Sequence, residues 1–152
     1  MIDKVARRQA AEAIRHFLAG RISNEEFVCR YPRSEDPIIR ALDDTLWGFY
    51  DDFREHTLTG EFAVPAGLRR QVIRWVMFLY TDEEYRWPGI GAPGMRAYYQ
   101  PSWLSRVIGF SKYVEQRTAT FMAQGDYDVW PFLKRVDFDR ARRKPVLLGG
   151  DI

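Results

Sequence analysis

Leu68-Arg69-Arg70-Gln71-Val72-Ile73-Arg74-Trp75-Val76-Met77-Phe78-Leu79-Tyr80 is the stretch on which the fold class turns. Read at helical period it is apolar nearly all round, as expected of a helix buried among others. Val, Ile, Trp, Phe and Tyr also suit a central strand. A strand needs partners, and no other part of the chain offers a convincing one. The stretch is therefore read as a helix opened by Pro65, and the chain as all-α: a compact bundle of about five helices in a single domain, 1–152.

Its neighbours carry clearer helical signals. Ala6, Ala10, Ala13, Ile14, Phe17 and Leu18 line one helical face, and Gly20 stands where a C-terminal cap belongs. Ser23-Asn24-Glu25-Glu26 has the form of a capping box, opening a short helix through Phe27 and Val28 that Pro32 stops. At Asp36-Pro37 an N-cap residue precedes a proline at the first helical position. Ile38, Ile39, Leu42, Leu46, Phe49, Tyr50 and Phe53 follow at helical spacing, which predicts a helix from Pro37 to about Arg54 with these residues inward. Thr81-Asp82-Glu83-Glu84 has the form of a second capping box, for a single turn before Pro88. A Gly/Pro-rich loop from Pro88 to Pro101 precedes a last long helix, opened by Ser102 and closed at Gly125. An aromatic cluster from Tyr127 to Leu133 leads into a basic segment, Lys134 to Lys144, read as a solvated terminal helix, and a tail from about 145 that is expected to lack order.

Composition narrows the class of function. With 46% hydrophobic and 15% aromatic residues the chain has ample material for a core. A lone cysteine, Cys29, rules out an internal disulfide and fits a reducing compartment. No apolar run reaches the ~20 residues that cross a bilayer, and the N-terminus lacks the order of a signal peptide; the expected location is cytoplasmic. Against 21 acidic side chains stand 23 basic ones, giving +2 overall, without the basic stripe of a nucleic-acid binder. Most of the basic residues are Arg, as in proteins from GC-rich bacterial genomes.

Several patterns that carry chemistry elsewhere lack their context here. Gly89-Ile90-Gly91-Ala92-Pro93-Gly94 matches the dinucleotide-binding pattern by letter, but Trp87-Pro88 precedes it and Tyr98-Tyr99-Gln100-Pro101 follows, where a strand and a helix are required. Glu12/His16 and Asp52/His56 are acid–histidine pairs one helical turn apart, and Cys29 with His16 could form a thiol and its base. Two histidines do not supply a di-metal bundle site, and nothing around Cys29 marks oxyanion donors. A metal-dependent or thiol enzyme using His16, Cys29, Asp52 and His56 stands as the alternative reading, and no cofactor is implied.

One surface asks for more than solvation. Projected onto the helix expected from Pro37 to Arg54, Arg40, Asp44, Trp47, Asp51 and Glu55 share the face opposite the core stripe. An indole between acids on the wet side needs cover, either from this chain or from a partner, and its acidic neighbours favour a basic one. The sequence thus points to a non-catalytic domain that binds another protein, of which an immunity-type inhibitor of a toxin enzyme is one concrete form.

Overall fold

A computed structural model describes residues 1–87, 123 and 125–143. Among these the fold is all-α, with no strand. The described residues include five helices: α1 (Lys4–Leu18), α2 (Asn24–Arg30), α3 (Pro37–Leu46), α4 (Ala66–Leu79) and α5 (Arg135–Arg142). Single 3₁₀ turns lie at Trp47–Phe49, Gly60–Phe62 and Tyr127–Val129. The Gly89–Gly94 pattern, the loop from Pro88 to Pro101, the helix expected from Ser102 and the tail from 145 fall outside the described residues.

The segment that decides the class is a helix. α4 packs most extensively against α1 and also meets α5. Val72, Trp75, Val76, Phe78 and Leu79 are buried, whereas Ile73 stays exposed. On α1, Ala6, Ala10, Ala11 and Ala13 are all buried, and these small side chains let neighbouring helices approach closely. Behind α4 the chain at 129–132 fills the remaining space: Trp130 meets Trp75 edge-on at 5.4 Å between ring centroids, and Phe132 meets Phe78 at 5.1 Å. Fully burying each such ring stabilises the fold by about 2–3 kcal/mol before chain entropy is counted.

The helix ends follow local chemistry. Asp3 caps α1 by accepting from the Val5 and Ala6 amides. Gly20 closes it in the left-handed region, φ +67°, where a side chain would in addition run into the Thr59 methyl. Ser23 and Glu26 form the expected reciprocal box, with Oγ accepting from the Glu26 amide at 3.2 Å and the Glu26 carboxylate from the Ser23 amide at 3.1 Å. The expected box at Thr81 is only partly formed: Thr81 Oγ1 accepts from the Glu83 amide, and residues 82–87 are not helical.

The largest departure from the sequence reading is α3. It ends at Leu46, followed by one 3₁₀ turn and an irregular segment, and does not continue to Arg54. Gly48 lowers helix propensity by about 1 kcal/mol relative to Ala. Asp51 Oδ1 then accepts from the Phe53 amide at 2.8 Å, an Asx turn that competes directly with helical hydrogen bonding. Ile38, Ile39, Leu42 and Leu46 are buried as expected; Phe49 and Tyr50 are only partly so, and Phe53 points out.

Candidate functional site

The segment that leaves α3 builds a display of aromatic rings. Trp47 is 56% exposed and Phe53 is 98% exposed. The Trp47 and Tyr50 rings stack at 4.8 Å between centroids, 21° from parallel. Residues 43–55 include five carboxylates (Asp43, Asp44, Asp51, Asp52, Glu55) and a single cation, Arg54, on a chain whose net charge is positive. Arg54 is itself engaged, bonded to Glu61 at 2.9 Å and lying 5.1 Å over the Phe62 ring. Arg40, one turn before Asp44, makes no ion pair among the described residues.

The backbone beneath these rings is tightly held. Asn24, 0% exposed, is the hub. Its amide donates to His56 O at 2.9 Å, and its side-chain oxygen accepts from the His56 amide at 2.8 Å. Its Nδ2 donates to Asp51 O and Arg54 O at 3.1 and 3.2 Å. His56 adds a second set of contacts: Nδ1 lies 3.1 Å from Arg54 O, and Nε2 lies 3.1 Å from Phe49 O. Its ring stacks on Phe62 at 4.2 Å, and Leu58 is buried just beyond. Loop carbonyls that a helix would have satisfied internally are thus satisfied by one buried amide and one imidazole.

The electrostatics are those of crowded like charges. Partial burial raises the Asp43 carboxyl above the ordinary range, and the neighbouring Asp44 pushes it the same way, against Arg33. Burial, and then Asp43 and Asp44, hold the Tyr31 phenol well above its usual value, while its hydroxyl donates to Ile39 O at 2.9 Å. None of the five carboxylates of the segment forms an ion pair among the described residues. A cavity of about 400 Å³ floored by Phe78 and Phe132 differs in this respect. On its wall Arg140 already engages Glu83 at 3.5 Å and Asp137 at 3.3 Å.

Of the expected binding face, Arg40, Asp44 and Trp47 keep a common helical origin, at the end of α3 and the turn that follows. Asp51 and Glu55 do not extend that face, because the helix has already ended; they lie on the loop beyond Trp47. The alternative set is not assembled. Both His56 nitrogens face backbone carbonyl oxygens, Cys29 is exposed on α2, Asp52 is exposed on the loop, and His16 is half-buried on α1. Among the described residues no three His, Cys, Asp or Glu side chains converge as a metal site would require. Trp87 is buried and donates to Pro131 O at 3.0 Å.

Sequence reasoning missed Asn24 and Phe53. Asn24 directly follows the N-cap Ser23, and no local pattern marks its partners about thirty residues away. Phe53 continues the core period, which predicts it inward; the Asp51 two residues before it is the available signal of a turn. No family model matches the chain, and neither a curated protein nor a solved structure matches it.

Proposed function

We propose that this chain is a non-catalytic protein-binding domain, and that the turn and loop from Trp47 to His56 are its contact surface. The observation that carries this reading is the pairing of a fully exposed Phe53 with a backbone pinned by a fully buried asparagine. Exposing a phenylalanine forgoes about 2 kcal/mol of burial. Holding its loop in one shape lowers the ordering cost of association, which is how a small surface gains affinity. Trp and Tyr beside it are the residue types that dominate interface energetics. A cytoplasmic, immunity-type inhibitor of a bacterial toxin enzyme is a concrete form of such a protein, since it needs a shaped surface and no chemistry of its own.

Replacing Phe53 by a photo-crosslinking phenylalanine analogue in the producing cell tests this. The expected result is a discrete adduct with one protein, lost when Trp47→Ala is added and absent from the same probe at Val5 on α1. No adduct, or one indifferent to Trp47, overturns the assignment.

A further inference from the structure

We propose that the face presented by Trp47, Tyr50 and Phe53 is built to receive an arginine-bearing, net-basic protein surface; this rests on the protein-binding reading above and names the chemistry of the partner. Charge complementarity is the first support. Asp43, Asp44, Asp51, Asp52 and Glu55 carry no ion pair among the described residues, although elsewhere carboxylates are commonly matched: Glu26 with Arg30, Glu61 with Arg54, Asp82 with Lys4 and Asp126 with Arg135. Acids left unmatched around exposed aromatic rings form a field that attracts cations and repels acidic surfaces.

The second support is that this protein already uses the combination internally, twice. Arg7 lies 5.3 Å over the Phe78 ring while its Nε donates to Asp36 at 2.7 Å. Arg54 lies 5.1 Å over Phe62 while paired with Glu61. In each case a guanidinium uses its face for a ring and its edge for a carboxylate, which the compact lysine ammonium does not reproduce. Asp44 stands three residues before Trp47, the spacing that places neighbours together along a helical surface. The stacked Trp47–Tyr50 pair with Asp44 therefore offers the same two elements with no guanidinium supplied by the described residues.

The test uses the full chain, labelled for amide NMR, and three short peptides of equal length carrying arginine, lysine or glutamate among the same apolar residues. The arginine peptide is expected to give saturable shifts at amides 47–56, several-fold weaker with the lysine peptide and absent with the glutamate peptide. Asp44→Lys with Asp51→Lys is expected to weaken the arginine peptide about tenfold or more, and Asp44→Asn with Asp51→Asn to do so less. Arginine shifts that map elsewhere or do not saturate, equal binding of the glutamate peptide, or a charge-reversed variant that binds unchanged each overturn the proposal. The two readings fail separately: a position-53 adduct with a partner whose contacting face is acidic removes this inference and leaves the protein-binding reading standing, whereas no adduct removes the latter.

Discussion

Two polar–apolar arrangements in this protein are inversions of each other. At the N-terminal ends of α1 and α3, charge is buried: Arg7 and Asp36 are each 1% exposed and every contact is made. Asp36 accepts from Arg7, from the Asp3 amide at 3.0 Å and from the Ile38 amide, while Arg7 also donates to Thr81 O and Glu83 O at 3.0 and 2.9 Å. At the end of α3 the opposite holds, with aromatic rings in water and carboxylates unmatched. The first arrangement ties three chain segments into one fold. The second adds nothing comparable to the fold, and its backbone is nevertheless held by Asn24 and His56. The difference separates residues buried for architecture from residues that the proposed function reads as a contact surface.

Substitutions sharpen this contrast by their size. The largest effect is expected at the buried pair: Asp36→Ala strands a guanidinium in the interior and costs about 3–5 kcal/mol in urea unfolding. Adding Arg7→Met to Asp36→Ala should recover the share of that loss due to the stranded charge, the Asp3 and Ile38 amides and the Thr81 and Glu83 carbonyls still lacking partners; a double variant less stable than Asp36→Ala alone contradicts the stranded charge as a cause. Next comes Asn24→Leu, which leaves the Asp51 and Arg54 carbonyls and the His56 amide short of partners. A cost of about 1–3 kcal/mol is expected in the same measurement, with the amide resonances of 49–56 broadened or shifted while those of α1 and α4 hold. A loop that stays ordered without Asn24 breaks the account of how it is pinned.

A smaller, pH-dependent effect is expected at Asp43. Its folded carboxyl is raised, chiefly by burial, so ionisation costs the folded state at neutral pH, and that cost disappears once the carboxyl is protonated in both states. Asp43→Asn should therefore raise the thermal midpoint at neutral pH, with the gain vanishing as pH falls below the usual carboxylate range. A gain that persists in acid points to a different cause. Smallest of all is Phe53→Ser, expected to change stability by no more than about 0.5 kcal/mol. A loss of several kcal/mol would place Phe53 in the core and dissolve the comparison.

Local signals were readable and distant ones were not. The Ser23–Glu26 box, the Asp36-Pro37 start and the Gly20 stop each depend on residues within a few positions, and each stands in the structure as expected. α4 was legible as a helix because no other stretch of the sequence offers a convincing partner strand; α1 and the 129–132 segment cover Val72, Trp75, Val76, Phe78 and Leu79, while Arg69, Arg70, Gln71 and Ile73 keep a solvent face that the reading of a helix apolar nearly all round did not foresee. Arg7 carried a faint signal: it lies at helical spacing with Ala10, Ala11, Ile14 and Leu18, on the buried stripe. Its partner Asp36 lies 29 residues away, beyond any local pattern. The extension of α3 to Arg54 went wrong for a related reason. Phe49 and Phe53 preserve the helical period, but Asp51 Oδ1 takes the Phe53 amide, His56 Nε2 faces the Phe49 carbonyl, and Asn24, on another helix, holds the Asp51 and Arg54 carbonyls. For the candidate site, the aromatic and acidic residue types were legible while their presentation was only partly so: the end of α3 and the turn that follows carry Asp44 and Trp47 as expected, but a loop, and not a helix face, carries Asp51, Phe53 and Glu55.

Amide hydrogen exchange at His56 tests the central claim most directly, because that amide donates to the buried Asn24 side chain at the base of the exposed loop. An ordered display predicts that the His56 amide exchanges as slowly as amides within α1 and α4, in the free protein and before any partner is added. Exchange at the rate of an unprotected chain would contradict it, since the rings of Trp47 and Phe53 would then mark an unfolded excursion and not a surface built for contact.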